Sequence, residues 1–173
     1  MQVMNDESHL ASEALAEERG VFPAWEGSDW QKLGRRLRNS YTTTVAPTGT
    51  ISLSLANNAS NGIEPSFAHK YSRNVIREGK KSKEKVDVFS FELLAYRTLI
   101  NAKADPEAAE ADAMLPDYFV SADAITPTQH VDVQAAAQKW VDSSISKTAN
   151  VPTDYPYEDF KNIYMYAFEK GLK

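Results

Sequence analysis

The order of strand-like and helix-like segments predicts an α/β fold for this 173-residue chain. Three segments, 41–45, 67–76 and 143–151, read as strands from their β-branched, aromatic or alternating residues. Segments with apolar residues at helical spacing lie before, between and after them, an order that favours parallel strands joined by crossovers.

Taken in order, Glu7 to Glu18 carries Leu10, Ala11, Ala14 and Leu15 at helical spacing, and Gly20 stands where the helix would end. Val21 to Trp30 follows as an aromatic loop suited to plugging a core. Arg35, Arg36 and Arg38 could grip a phosphate or carboxylate, or be a solvated turn leading into the first strand. After that strand, Ile51 to Ala56 reads as a short helix ending at Asn57-Asn58, and Asn61-Gly62 as a turn. In the second strand Phe67, His69, Tyr71, Arg73 and Val75 share one face by alternation. Lys80 to Lys85, KKSKEK, reads as a solvated loop, since no aromatic residue interleaves it for base stacking. Val86 to Ile100 suggests a helix, and Asp105-Pro106 a cap and first helical position continued by Glu107 to Ala113. Thr126-Pro127 opens another helix, with Val131, Val133, Ala135, Ala136 and Trp140 available to a core. In the last strand Ile145, Lys147, Ala149 and Val151 alternate with Ser144, Ser146, Thr148 and Asn150. Pro156 opens a final helix whose Phe160, Ile163, Tyr164, Ala167 and Phe168 would face inward before Gly171 breaks it.

The stretch YTTTVAPTGTISLSLANNASNGIEP, Tyr41 to Pro65, organises the rest. Pro47 stops a strand; Thr48, Gly49 and Thr50 then precede an apolar run, giving strand, tight loop and helix start. The first amides of a helix lack intrahelical partners and carry partial positive charge, so such a junction can hold an anion, and Gly49 would let the backbone approach it. There is no lysine for the outer phosphates and no nearby carboxylate for magnesium, so the loop suits gripping a phosphate rather than transferring one. An ordinary turn with a threonine cap is the alternative reading. Glu64 is the acid of this stretch; ahead of a proline, it reads as an acceptor of backbone hydrogen bonds rather than a general base. His69 has no acid or cysteine beside it in sequence to suggest catalysis or a metal.

Composition sets further bounds. The length suffices for one domain with a core, while a net charge of −5 argues against a sequence-independent grip on nucleic acid. No stretch approaches the roughly 20 apolar residues that cross a bilayer, and Met1 to Leu10 lacks the regions of a signal peptide, so a cytoplasmic protein without membrane partners is expected. The sequence contains no cysteine, which removes disulfides, thiolate metal sites and thiol nucleophiles from this chain.

APTGTIS followed by NNASNGIEPSF resembles the substrate-phosphate loop and succeeding segment in the catalytic chain of ribonucleotide reductases, closest in wording to the adenosylcobalamin-dependent class II branch. Arg38-Asn39-Ser40, Tyr71-Ser72-Arg73 and SISKTANVP, Ser144 to Pro152, resemble the same family in the same order, with the similarity weakest from about Lys80 to Asp123. The resemblance implies that Pro47, Thr48, Gly49, Thr50, Ile51 and Ser52 surround the phosphates of a ribonucleoside di- or triphosphate. It implies that residues 1–173 are a single, incomplete segment, the second half of the family's ten-stranded α/β barrel, with upstream strands missing and the family chain continuing past Lys173. In this family a cysteine thiyl radical, generated through adenosylcobalamin in class II, abstracts a ribose hydrogen and a cysteine pair supplies electrons. Those cysteines would lie outside this chain, so no catalytic or metal-binding residue is assigned to it.

Two functions follow. One is the substrate-phosphate-binding part of a ribonucleotide reductase, as a fragment or split subunit completed by the rest of the catalytic chain. The other is a stand-alone, non-catalytic nucleotide or phosphate-binding protein derived from that fold, which would be an independently folded monomer.

Overall fold

A computed structural model describes residues 1–55, 62–76, 79 and 82–173. The expected helix end at Asn57-Asn58, the first residue of the Asn61-Gly62 turn, and Lys80 and Lys81 of the basic run lie outside the described residues. The elements are α1 (Gln2–Arg19), α2 (Asp29–Lys32), α3 (Gly49–Leu55), β1 (Lys70–Val75), β2 (Glu84–Phe89), α4 (Phe91–Leu99), a 3-10 turn (Ala122–Ala124), α5 (Pro127–Gln138) and α6 (Tyr157–Glu169). They fall into two compact units: Met1–Ala46 with Val131–Ser146 and Pro156–Lys173, and Pro47–His130 with Lys147–Tyr155.

In the first unit α1 begins five residues earlier than its apolar spacing suggests, with no breaker in its first turn, and closes at Gly20, whose φ of 77° favours glycine. The aromatic loop packs as expected, by hydrogen bonding as well as by area. Trp25 Nε1 donates to the Arg35 carbonyl at 2.8 Å and Trp30 Nε1 to the Ser40 carbonyl at 3.0 Å. α2, which carries Trp30, is capped twice over: the Ser28 hydroxyl accepts from Gln31 N–H, and the Gln31 side chain accepts from Gly27 N–H at 2.7 Å. Leu37 is fully buried at the centre of this unit, with Ala16, Phe22, Val131, Val141 and Ile145 also buried.

The segment 41–45 does not form the expected strand. Its pairing with the 143–151 candidate is parallel, as expected, but reduces to one bridge, Val45 with Ile145. Threonine explains the shortfall: Thr43 Oγ1 accepts the Asp142 amide at 3.0 Å and Thr44 Oγ1 donates to the Ser144 carbonyl at 3.1 Å, so hydroxyls take up groups a backbone ladder would use. In α6, Glu158 and Asp159 suit the first turn, and Gly171 at φ 77° stops the helix as expected. Its apolar stripe, expected to face inward, does not: no α6 residue is buried, and Phe168 is 76% exposed.

In the second unit β1 pairs antiparallel with β2, Lys70 opposite Phe89 through Val75 opposite Glu84. β2 corrects the expected loop at 84–85 and the expected helix start at Val86. Val86 and Val88 alternate as a strand requires, and Ser90, whose hydroxyl accepts from Leu93 N–H at 3.2 Å, delays the helix to Phe91. The helix expected over 107–113 is also absent. Asp105 Oδ1 does accept the Glu107 amide at 2.9 Å, but the Asp105 amide reaches the Ala113 carbonyl at 2.9 Å and folds the segment back as successive turns. α5 starts where expected, through a reciprocal cap: Thr126 N–H donates to Gln129 Oε1 at 2.9 Å and Gln129 N–H to Thr126 Oγ1 at 3.3 Å.

Among the described residues the strands make one two-stranded antiparallel sheet and one isolated bridge, and no closed barrel. Large apolar side chains remain exposed in both units, among them Leu99 and Ile100 in one and Tyr164 and Phe168 in the other. No helix among the described residues is long and apolar enough to cross a membrane.

Candidate functional site

The loop singled out in the sequence stands at the start of α3. Thr48 precedes the helix with φ 50°, in the left-handed region that a β-branched residue rarely adopts. Its carbonyl accepts the Ser52 amide at 3.0 Å and so opens the first turn. Thr48 Oγ1 accepts the Gly62 amide at 2.9 Å, which ties the loop to the segment beyond α3. Pro47, Thr48, Thr50 and Ile51 are exposed, Gly49 is half-buried, and Ser52 is buried with its hydroxyl donating to the Gly49 carbonyl at 2.8 Å. The six candidate residues are thus contiguous in space, but Ser52 turns its hydroxyl to its own backbone.

Gly49 is informative. Its φ is not in the left-handed region, and a Cβ placed on it would meet nothing within 4 Å. Neither conformation nor internal packing requires glycine there. The open space lies beside the first helical turn, where amides lack intrahelical acceptors.

Glu64 accepts a backbone hydrogen bond, as its place before Pro65 suggested, from the Thr148 amide. Sequence reasoning missed its second partner, Lys147 Nζ, 2.6 Å from Oε2. A signal was present: Lys147 falls in register with Ile145, Ala149 and Val151, and its side chain is only 3% exposed. Lys147 also donates to the Thr148 carbonyl. His130, likewise buried, belongs to the same neighbourhood. Burial and the charge of Lys147 lower its pKa, which favours the neutral imidazole, and its Nε2 has no partner among the described residues.

The other candidates take structural places. Arg35 pairs with Glu13 at 2.7 Å and lies over Trp30, Arg36 lies over Trp25, and Arg38 donates to the Val21 carbonyl. His69 bonds Ser90 Oγ through Nδ1 at 3.0 Å and meets Phe119 edge to face. No sequence pattern announced Asp142, which gathers Thr42 N–H and Oγ1 at 2.8 Å each, His9 Nε2 at 2.9 Å and Asn5 Nδ2 at 3.3 Å. Burial alone would raise its pKa; the Thr42 amide, His9 and the Thr42 hydroxyl outweigh burial and lower it to about 2. His9 and Asp142 border a cleft of about 800 Å³ in the first unit, but both are committed to joining α1 to Thr42. Among the described residues no three His, Asp or Glu side chains are grouped as a metal site.

Residues 34–173 match the family model of the ribonucleotide reductase barrel domain. The whole chain is 40% identical to part of a vitamin B12-dependent ribonucleoside-diphosphate reductase of Thermoplasma acidophilum, covering 23% of that protein. It is 36% identical to the enzyme of the same description from Mycobacterium tuberculosis, covering 25% of it. A vitamin B12-dependent ribonucleotide reductase of Streptomyces coelicolor is 25% identical, with 20% of its length covered. The chain therefore spans about a quarter or less of the length of these curated relatives. Matched over most of its length by the barrel domain and over all of it by vitamin B12-dependent enzymes, this chain belongs to the ribonucleotide reductase family.

Proposed function

We propose that this chain is the substrate-phosphate-binding part of a vitamin B12-dependent ribonucleotide reductase, which converts ribonucleotides to 2′-deoxyribonucleotides for DNA synthesis in the cytoplasm. Within that enzyme it is part of the second half of the barrel, and the rest of the catalytic polypeptide, or a complementary subunit, supplies the radical and redox cysteines. The observation that carries the reading is Gly49, a glycine with an ordinary φ and open space where a Cβ would stand, within the motif that resembles the family's phosphate loop. A phosphate there would meet the first amides of α3 at the positive end of the helix dipole. The relatives named ribonucleoside-diphosphate reductases favour a diphosphate over a triphosphate substrate.

The loop has no group able to carry out the reduction. It holds the nucleotide by its phosphates and so fixes the distance of the ribose from reacting groups elsewhere, and such positioning lowers the barrier entropically. Adenosylcobalamin is the cofactor implied by the relatives' vitamin B12 dependence, and the chemistry it supplies when bound is radical generation. The residues of this chain do not fit a radical site, because the thiol such chemistry requires cannot come from a cysteine-free sequence. Exposed Leu99, Ile100, Tyr164 and Phe168 favour a segment completed by more polypeptide over a stand-alone nucleotide-binding monomer.

Gly49→Val tests the loop. In enzyme assembled from this chain and the remaining portion, the variant is expected to weaken ribonucleoside diphosphate binding at least tenfold, about 1.4 kcal/mol. Thr50→Ala is expected to cost less, since the amides remain. Unchanged affinity for the valine variant would return the stretch to an ordinary turn.

A further inference from the structure

The phosphate loop is not held by its own short helix alone. Thr48 Oγ1 accepts the Gly62 amide at 2.9 Å, and two residues on Glu64 bonds Lys147 Nζ at 2.6 Å and the Thr148 amide. The pair is enclosed, with 3% of the Lys147 side chain and 18% of the Glu64 side chain exposed. Lys147 and Thr148 belong to the SISKTANVP segment, so a buried ion pair joins two separated family-like motifs within the second unit. Such a pair costs desolvation and adds little net stability over an apolar replacement, yet it fixes geometry, because each charge must meet its partner.

We propose that Glu64 and Lys147 are positioning residues for the phosphate loop: their ion pair anchors Gly62, and through Gly62 the Thr48 hydroxyl, so that the α3 amides are set for a nucleotide diphosphate. The proposal rests on the reading of the loop as the phosphate site. Neither side chain touches the phosphate. Breaking the pair frees Gly62 and lets the Thr48 backbone leave its unfavourable φ of 50°.

The experiment measures CDP binding by enzyme assembled from this chain and the remaining portion, together with amide exchange over 48–52. Glu64→Gln keeps an acceptor for the Thr148 amide and removes the charge. It is expected to weaken CDP about tenfold and speed exchange over the loop while β1 exchanges unchanged. Lys147→Arg, which keeps the cation, is expected to bind within about twofold of wild type. Thr48→Val breaks the tie at its exposed end without touching the buried pair, and combined with Glu64→Gln should cost less than the product of the single effects. If wild type binds, Gly49→Val fails to, and Glu64→Gln binds normally or only melts earlier, the pair is purely structural and the proposal falls alone. If wild type shows no binding, or Gly49→Val binds like wild type, the phosphate reading falls and the proposal with it.

Discussion

Replacing Asp142 by asparagine should destabilise the first unit in a way that pH can separate from ordinary side-chain loss. The carboxylate accepts from Thr42 twice, from His9 and from Asn5, and its side chain is only 8% exposed. An amide in its place turns one oxygen into a donor facing donors, at a cost of about 2–3 kcal/mol near neutral pH. The folded carboxyl has a pKa of about 2 against 3.8 for the ordinary group, which makes ionised Asp142 worth about 2 kcal/mol above the higher value. Because the folded pKa is the depressed one, that stability is present above 3.8 and lost as pH falls toward 2. Urea unfolding followed by Trp30 fluorescence suits the site, since Trp30 meets His9 edge to face at 5.0 Å between ring centres. The stability gap between wild type and Asp142→Asn is expected to narrow by about 1 kcal/mol between pH 6 and pH 3. A gap that stays constant over that range would refute the assignment of Asp142 as an ionised strut.

Two further outcomes are expected. The purified chain should form no deoxyribonucleotide with any reductant, as it contains no cysteine to carry a radical or donate electrons; product from the chain alone would overturn the division of labour proposed above. The edges along 41–45 and 144–150, which share a single ladder bridge, Val45 with Ile145, should exchange amide hydrogens rapidly or drive self-association, and become protected on adding the complementary portion. Slow exchange across both in a demonstrated monomer, unaffected by that portion, would instead mark a complete domain.

Helix ends were legible where side-chain chemistry is local. Thr126-Pro127 at α5, Pro156 and Gly171 at α6 and Gly20 after α1 each act through their own backbone or a neighbour within a turn. β2 was hidden because its Glu84 and Lys85 read as the end of a solvated run, and its strand state depends on pairing with β1. The threonines of 42–44 carry β propensity, but their hydroxyls meet Asp142 and Ser144, about 100 residues away in sequence, and the ladder shrinks to one bridge. α6 shows the limit of periodicity, which identifies an apolar stripe without saying what covers it. At the site, the loop was legible because a glycine and hydroxyls between strand-like and helical residues form a local pattern. The Glu64–Lys147 pair was not, since it joins positions 83 apart, and only a lysine in an apolar register hinted at it.

The most direct measurement is deoxyribonucleotide formation from a ribonucleoside diphosphate by this chain mixed with the remaining portion of the reductase and adenosylcobalamin, comparing wild type with Gly49→Val. Product is expected only when both portions and the cofactor are present, with KM raised at least about tenfold in the valine variant. Product from this chain alone, or a KM that Gly49→Val leaves unchanged, would contradict a phosphate-gripping segment whose radical chemistry lies elsewhere.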